Sequence, residues 1–201
     1  PFLRKKIESC NLAYQELTSS ERDNLVMSIM RTLSDEQIQK SGAHRANDWV
    51  RGWAENSSEL SQTNNFNSLI PKYFGKFPYV RWKQDFIKPV NKSFEYNMAR
   101  ILQYWLFEKH FKNSNSVYEF GLDWAESSQD NIEKINNIFD KNFGSHRFDF
   151  FNVEHNYKLD PKSGIYTFAA LEQVGSSHTE FLSYLLSQKP SICVHIEPIG
   201  E

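Results

Sequence analysis

The sequence predicts an α/β fold, a mostly parallel sheet with helices on both faces, preceded by a helical N-terminal extension. Three observations predict it. In the C-terminal half, short β-branched and aromatic runs at 117–121, 165–171 and 191–199 alternate with helical stretches. These runs, with a further alternating run at 146–152, stop at or just before carboxylates: Glu119, Asp149, Glu172 and Glu197, with Asp123 ending a shorter run at 122–125. The N-terminal half lacks this rhythm and reads as helices followed by an aromatic, proline-bearing arm. Strand–helix alternation implies parallel strands joined by right-handed crossovers. The expected division is a helical and aromatic cap and lid over 1–92, then the α/β domain over 93–201.

Composition bounds the answer without naming a function. A chain of 201 residues with 39% hydrophobic and 15% aromatic residues can build a sizeable core. The net charge of −2 hides an asymmetry. Residues 1–112 carry 17 Lys and Arg against 12 Asp and Glu, while residues 113–201 carry 6 against 13. A mildly basic N-terminal part favours an anionic substrate, but it is too mixed with acids for a nucleic-acid footprint. Cys10 and Cys193 stand far apart and make neither a disulfide framework nor a metal site. Cys193, in an apolar run, is expected to be a buried core thiol. With neither a leader-like segment nor an apolar run of membrane-spanning length, the expectation is a cytoplasmic protein without membrane or nucleic-acid partners, acting on a small molecule.

Residues 1–40 read as helical. Ser20 is the expected N-cap, with Glu21 and Asp23 in the first turn and Leu25, Ile29 and Leu33 on one face. In 41–56, Trp49 and Trp53 stand four apart on one helical face, beside His44, Arg45 and Glu55. This stretch reads either as a helix docking two indoles on the core or as a lid, with Trp faces for stacking and Arg45 for an anion. Residues 56–67, rich in Ser, Asn and Gln, are the best loop candidate. Residues 70–91 interleave aromatic and basic side chains around three prolines, which suggests an extended arm over the sheet edge. A single-stranded nucleic-acid platform is the weaker reading, since no stacking-module motif accompanies it. The clearest helix is 93–110, capped by Ser93, with Glu95 in its first turn and Phe94, Met98, Ile101, Leu102, Trp105 and Leu106 on its apolar face. Ser127 or Ser128 caps a further helix carrying Ile132, Ile135, Ile138 and Phe139, and 179–186 is another.

Glu119-Phe120-Gly121, running on into Leu122-Asp123-Trp124, resembles the cofactor site of class I S-adenosylmethionine-dependent methyltransferases. The resemblance is to the bacterial small-molecule type, a Rossmann-like sheet behind an N-terminal helical and aromatic cap. It implies S-adenosyl-L-methionine as cofactor. Glu119 and Gly121 would close the first strand on it, and Asp123 beside Trp124 would hold the ribose hydroxyls, since a carboxylate accepts from two vicinal hydroxyls. Asp149 and Phe150, ending the third strand, would face the adenine. Glu95 and Tyr96, with Phe94, would line the cofactor entrance. Leu171-Glu172-Gln173-Val174 resembles the Leu-Glu-His-Val stretch of small-molecule members, with Gln173 where they carry histidine. A pattern similar to 42–56 precedes the methyltransferase domain in some bacterial proteins; Arg45, Trp49 and Trp53 of the lid and Gln173 of the 171–174 stretch are the expected substrate contacts. Base candidates for a hydroxyl or amine acceptor are Glu172, His178 and His195.

The sequence departs from the family between Glu119 and Asp123. A parallel crossover takes a dozen residues or more, and four residues reach at most ~14 Å. Both flanks read as intact elements. The expectation is therefore a seam at Gly121 where residues of a longer chain are missing, and an intact mass above 23.6 kDa would support it. The resembled fold closes with two further strands, so residues beyond Ile199 are expected too. The leading functional expectation is methyl transfer to a small acceptor of saccharide-like or anionic kind. The alternative is a non-catalytic Rossmann-like binding or interaction domain that lacks the glycine loop. A dinucleotide-dependent oxidoreductase shares the ribose acid but is disfavoured by residues 171–174 and by the aromatic cap.

Overall fold

A computed structural model describes residues 2–35, 44, 46–120 and 126–197. The expected strand at 122–125 lies outside the described residues, as do Arg45, Gly121, Asp123 and Trp124. In chain order the elements begin with α1 (Phe2–Ser9), β1 (Tyr14–Glu16), α2 (Ser19–Leu33) and α3 (Ala46–Thr63). Then come β2 (Val80–Trp82), β3 (Asp85–Pro89), α4 (Phe94–Leu106), β4 (Val117–Phe120) and α5 (Glu126–Phe139). The chain continues with β5 (Gly164–Phe168), α6 (Leu171–Val174), α7 (Thr179–Gln188) and β6 (Ile192–Ile196). These fall into two compact units, one of residues 1–40 and 70–109, the other of 41–69 and 110–201. Thus α4 belongs with the first unit and α3 with the second.

The first unit holds a three-stranded antiparallel sheet in the order β1-β3-β2. Residues 1–40 are therefore not all helical, since β1 separates α1 from α2 and pairs Tyr14 with Pro89 and Glu16 with Ile87. The N-cap of α2 is Thr18 rather than Ser20. Its hydroxyl accepts from the Glu21 amide, while the Glu21 carboxylate accepts from the Thr18 amide, a capping box that satisfies two orphan donors reciprocally. Residues 70–91 are not simply an extended arm, because β2 and β3 form a hairpin closing on Trp82 and Asp85. Its two turn residues, Lys83 and Gln84, have φ of 50° and 69°. A two-residue turn between right-twisted strands requires positive φ at both positions, normally supplied by Asn-Gly. Lys-Gln gives no such signal. Ser93 makes no side-chain cap bond to α4; its hydroxyl donates to Asn91 Oδ1. The helix turns into a π segment at Phe107–Phe111.

The second unit is α/β. Its three strands are parallel in the order β4-β5-β6, with Val117 level with Gly164 and Gly164 level with Ile192. Side chains alternate across a strand, so Tyr118, Phe120, Ile165 and Thr167 face one side. There Phe120 and Ile165 meet Phe148, Phe150, Phe181, Tyr184 and Leu185 in the principal core cluster. On the other side, Phe111 lies so close to β5 that a Cβ on Gly164 would come within 2.4 Å of its ring, and the Phe111 and Tyr166 centroids are 6.0 Å apart. Helix α3 packs along α5, burying Leu60 completely, with the Lys134 ammonium 2.6 Å from Ser57 Oγ.

Several expected boundaries move, each for a local reason. Residues 56–63 are helical rather than a loop, because burial of Leu60 outweighs weak propensity, and Ser61 and Thr63 bond their hydroxyls back to the carbonyls four residues earlier. Helix α5 begins at Glu126, so Ser127 and Ser128 lie inside its first turn. The stretch 146–152 is no strand, although Phe148 and Phe150 are buried on alternate positions. Asp149 Oδ1 accepts from the Phe151 amide at 2.8 Å and the Asn152 amide bonds the Asp149 carbonyl. That Asx turn takes the backbone groups a ladder would use. Strand β5 ends at Phe168, three residues before Leu171. Cys193 is exposed rather than buried, since it sits on β6, which ends the described β4-β5-β6 order. No described helix is long and apolar enough to cross a membrane.

Candidate functional site

The carboxyl ends of β5 and β6 bring polar side chains together inside the second unit. Thr167, the fourth residue of β5, is fully buried and level with His195 on β6. Its hydroxyl donates to Glu197 Oε1 at 2.6 Å and lies 3.0 Å from His195 Nδ1. A threonine hydroxyl has one proton to give. With that proton directed at the Glu197 carboxylate, Nδ1 of His195 carries its own hydrogen and donates to Thr167. Nε2 is then the basic nitrogen. His195 is exposed on β6, but the desolvation of its ring beside Thr167 lowers its pKa from the ordinary value, and the neighbouring Glu197 carboxylate opposes that shift.

Glu197 also builds the turn that follows β5. Helix α6 has Ala170 at its N-cap, which offers no side-chain acceptor. Glu197 Oε2 takes the Glu172 amide at 3.2 Å instead, placing a carboxylate at a helix start where backbone donors are otherwise unpaired. Between strand and helix, Ala169 has a φ of 50°, and its amide bonds the Ile196 carbonyl at 2.8 Å. A left-handed alanine costs on the order of 1 kcal/mol or more and persists where its surroundings over-determine it. The Gln173 amide group donates to Glu172 Oε1 at 2.7 Å. Glu172, Gln173, His195 and Glu197 thus form one connected polar group around Thr167.

Glu119 lies in the same sheet on the other face. It is exposed, level with Tyr166, and its carboxylate accepts the Tyr166 hydroxyl at 2.5 Å. Its row alternates with that of Phe120, Thr167 and His195, so Glu119 and the histidine stand on opposite sides of the sheet.

The remaining expected residues are placed individually. Asp149 holds its Asx turn. Phe150 is fully buried and meets Phe181 edge to face at 4.5 Å, so its ring is core here. Leu171 packs against the core cluster at the start of α6. His178 is exposed, with Nδ1 2.9 Å from the Gly175 carbonyl. In α3, the Trp53 carbonyl accepts from Asn131 at 3.3 Å, and Trp49 lies on the same helix. Glu95 and Tyr96 belong to the first unit, where Glu95 Oε2 accepts the Gly75 amide at 2.6 Å and Tyr96 meets Phe74 edge to face. Sequence reasoning missed Thr167, Ala169 and Tyr166. Only Thr167 left a trace, a polar residue within an otherwise apolar strand.

Among the described residues no group of three His, Cys, Asp or Glu side chains could hold a metal ion. No protein-family model, curated protein or solved structure matches the chain.

Proposed function

We propose that the second unit is the core of a Rossmann-like S-adenosyl-L-methionine-dependent methyltransferase acting on a small saccharide-like or anionic acceptor. The supporting observation is the strand order. If β4, β5 and β6 are the first, fourth and fifth strands of a doubly wound sheet, their adjacency is the 1-4-5 run of the order 3-2-1-4-5-6, which spans the point where the order reverses. In such sheets ligands bind outside the carboxyl ends where the strand order reverses, beside the first strand. Glu119 stands at that end of β4, and the group around Thr167 at the ends of β5 and β6. On this reading Glu119, with Gly121, Asp123 and Trp124, holds the cofactor.

When bound, the cofactor supplies an electrophilic sulfonium methyl group. What the chain must add is alignment of the acceptor and, for a hydroxyl or amine, removal of a proton. His195 suits the second task, with Nε2 basic, Nδ1–H held by Thr167, and a depressed pKa that keeps the ring neutral at physiological pH. Glu172 is the other candidate base, with Gln173 beside it.

A second reading is favoured by a specific observation. The Glu119 and Glu197 carboxylates are already engaged, by Tyr166 and by Thr167 with the Glu172 amide. Side chains so engaged also suit a non-catalytic binding domain that keeps the sheet alone. Binding of S-adenosylhomocysteine separates the two. The enzyme reading expects saturable binding that Asp123→Ala abolishes, and a well-folded protein that binds none would leave the binding domain standing.

A further inference from the structure

We propose that the first unit carries a groove for a small organic anion with an apolar body. The groove has a volume of about 340 Å³, within the range of roughly 300–1,000 Å³ that small-molecule sites occupy. It lies between the segment at 75–80 and the segment at 88–95 that leads from β3 into α4. Three lysines line it, Lys76, Lys88 and Lys92, against one acid, Glu95. Lys88 also stands 3.9 Å from Glu21. Apolar surface lines the same space, and Phe77 and Val90 are 67% and 61% exposed.

Its wall is fixed by backbone. Gly75 has a φ of 69°, and a Cβ there would lie 2.4 Å from the Lys92 carbonyl oxygen. The two segments therefore approach as only glycine permits, and Glu95 pins the contact by accepting the Gly75 amide. A preformed wall lowers the ordering cost of binding. Lys76 holds its ammonium 5.4 Å from the Phe77 ring centroid, so a positive charge and an open aromatic face occur together. Residues 70–95 carry six basic and two acidic side chains, a local field that attracts anions.

These features favour a small anion over a single nucleic-acid strand. Strand-binding surfaces present successive aromatic rings on which bases stack. Here Tyr73 and Phe74 meet each other at 4.5 Å, and Phe74 meets Tyr96 at 5.9 Å, which leaves Phe77 as the groove's open ring. The proposal stands on the first unit alone and does not rest on the methyltransferase reading.

Amide chemical shifts of the full chain titrated with 1-naphthyl phosphate test it. The expected result is saturable shifts at Gly75, Lys76, Phe77, Val90 and Lys92, with binding at least tenfold weaker in Lys76→Gln/Lys92→Gln. Both lysines are exposed, so that variant keeps its fold, which unchanged amide positions in β1 and α2 of the same unit would verify. Phe77→Ser should weaken binding severalfold with the charges intact. Undiminished affinity in the charge variant would overturn the proposal, as would absence of shifts at these amides to millimolar ligand. Equal binding of neutral 1-naphthol would reduce the groove to an apolar patch. A thymidine oligonucleotide that moves the same amides at lower concentration would assign the site to single-stranded nucleic acid instead.

Discussion

The two units of this chain are stabilised in different ways. The second has a true interior, in which Phe120, Phe148, Phe150, Phe181 and Tyr184 bury their rings against one another on one face of a parallel sheet. The first buries little: Ile87, Phe94 and Leu106 are its fully covered apolar side chains among the described residues. Neither α1 nor α2 buries a residue, and Met27, Met30 and Leu33 are half exposed or more. A smaller aromatic group, Phe94 with Tyr14 and Trp82, is joined there by backbone devices: a capping box at Thr18, a tight hairpin turn at Lys83-Gln84, and the glycine contact between Gly75 and Lys92. The lesson is that extensive aromatic packing holds the second unit, whereas the first adds specific backbone conformations to a much smaller buried set. A small unit gains less from burial because less of its surface can be covered.

That difference can be broken first at the core. Phe181 is fully buried and touches four of the cluster's aromatic rings. Phe181→Ala should cost ~3–5 kcal/mol, seen as a lower denaturation midpoint. A loss below about 1 kcal/mol would mean that the aromatic cluster is not the unit's core. The matched experiment in the first unit is Gly75→Ala. Its new methyl group meets a backbone carbonyl that cannot turn aside, at a φ that alanine resists, so a cost of ~1–3 kcal/mol is expected. Gly164→Ala in the second unit creates a contact of equal closeness, but with the Phe111 ring and the Ser114 hydroxyl. Gly164 meets side chains rather than backbone and lacks the positive φ of Gly75, so Gly164→Ala should cost less than Gly75→Ala. The reverse order would contradict the claim that backbone contacts help to hold the first unit.

The smallest effect sharpens the site itself. Partial desolvation of the ring lowers the His195 pKa and Glu197 raises it in part. The NMR titration midpoint of His195 should therefore lie below the ordinary histidine value of about 6.5, and Glu197→Gln should move it lower still. The linkage follows in sign: protonation is disfavoured in the folded state, so this contribution to stability is present above that ordinary value. It is lost as pH falls through the lower folded value. A midpoint at or above 6.5 would remove the argument for a neutral His195.

The second unit was the more legible in sequence for the same reason that it is the better packed. Apolar runs at 117–120, 164–168 and 192–196 report burial, and burial governs where those strands form. The stretch 146–152 shows the limit of that signal. Its phenylalanines alternate and are buried, yet the Asp149 side chain diverts the backbone from a ladder. In the first unit the Lys83-Gln84 turn adopts a conformation its residues do not advertise, so the hairpin could not be read. The site was legible through its charged members Glu172, His195 and Glu197. Thr167, which joins the last two, looks in sequence like an ordinary strand residue, and its role emerges only from the register that sets it beside His195.

On the proposed methyltransferase reading, the carboxyl end of the β4-β5-β6 sheet binds the methyl donor. Calorimetry of S-adenosylhomocysteine with the purified protein and with Asp123→Ala tests it most directly. The expected result is one site per chain with micromolar affinity in the wild type, lost in the variant. A folded wild type that takes up no ligand, or an Asp123→Ala protein that binds as tightly, would contradict it.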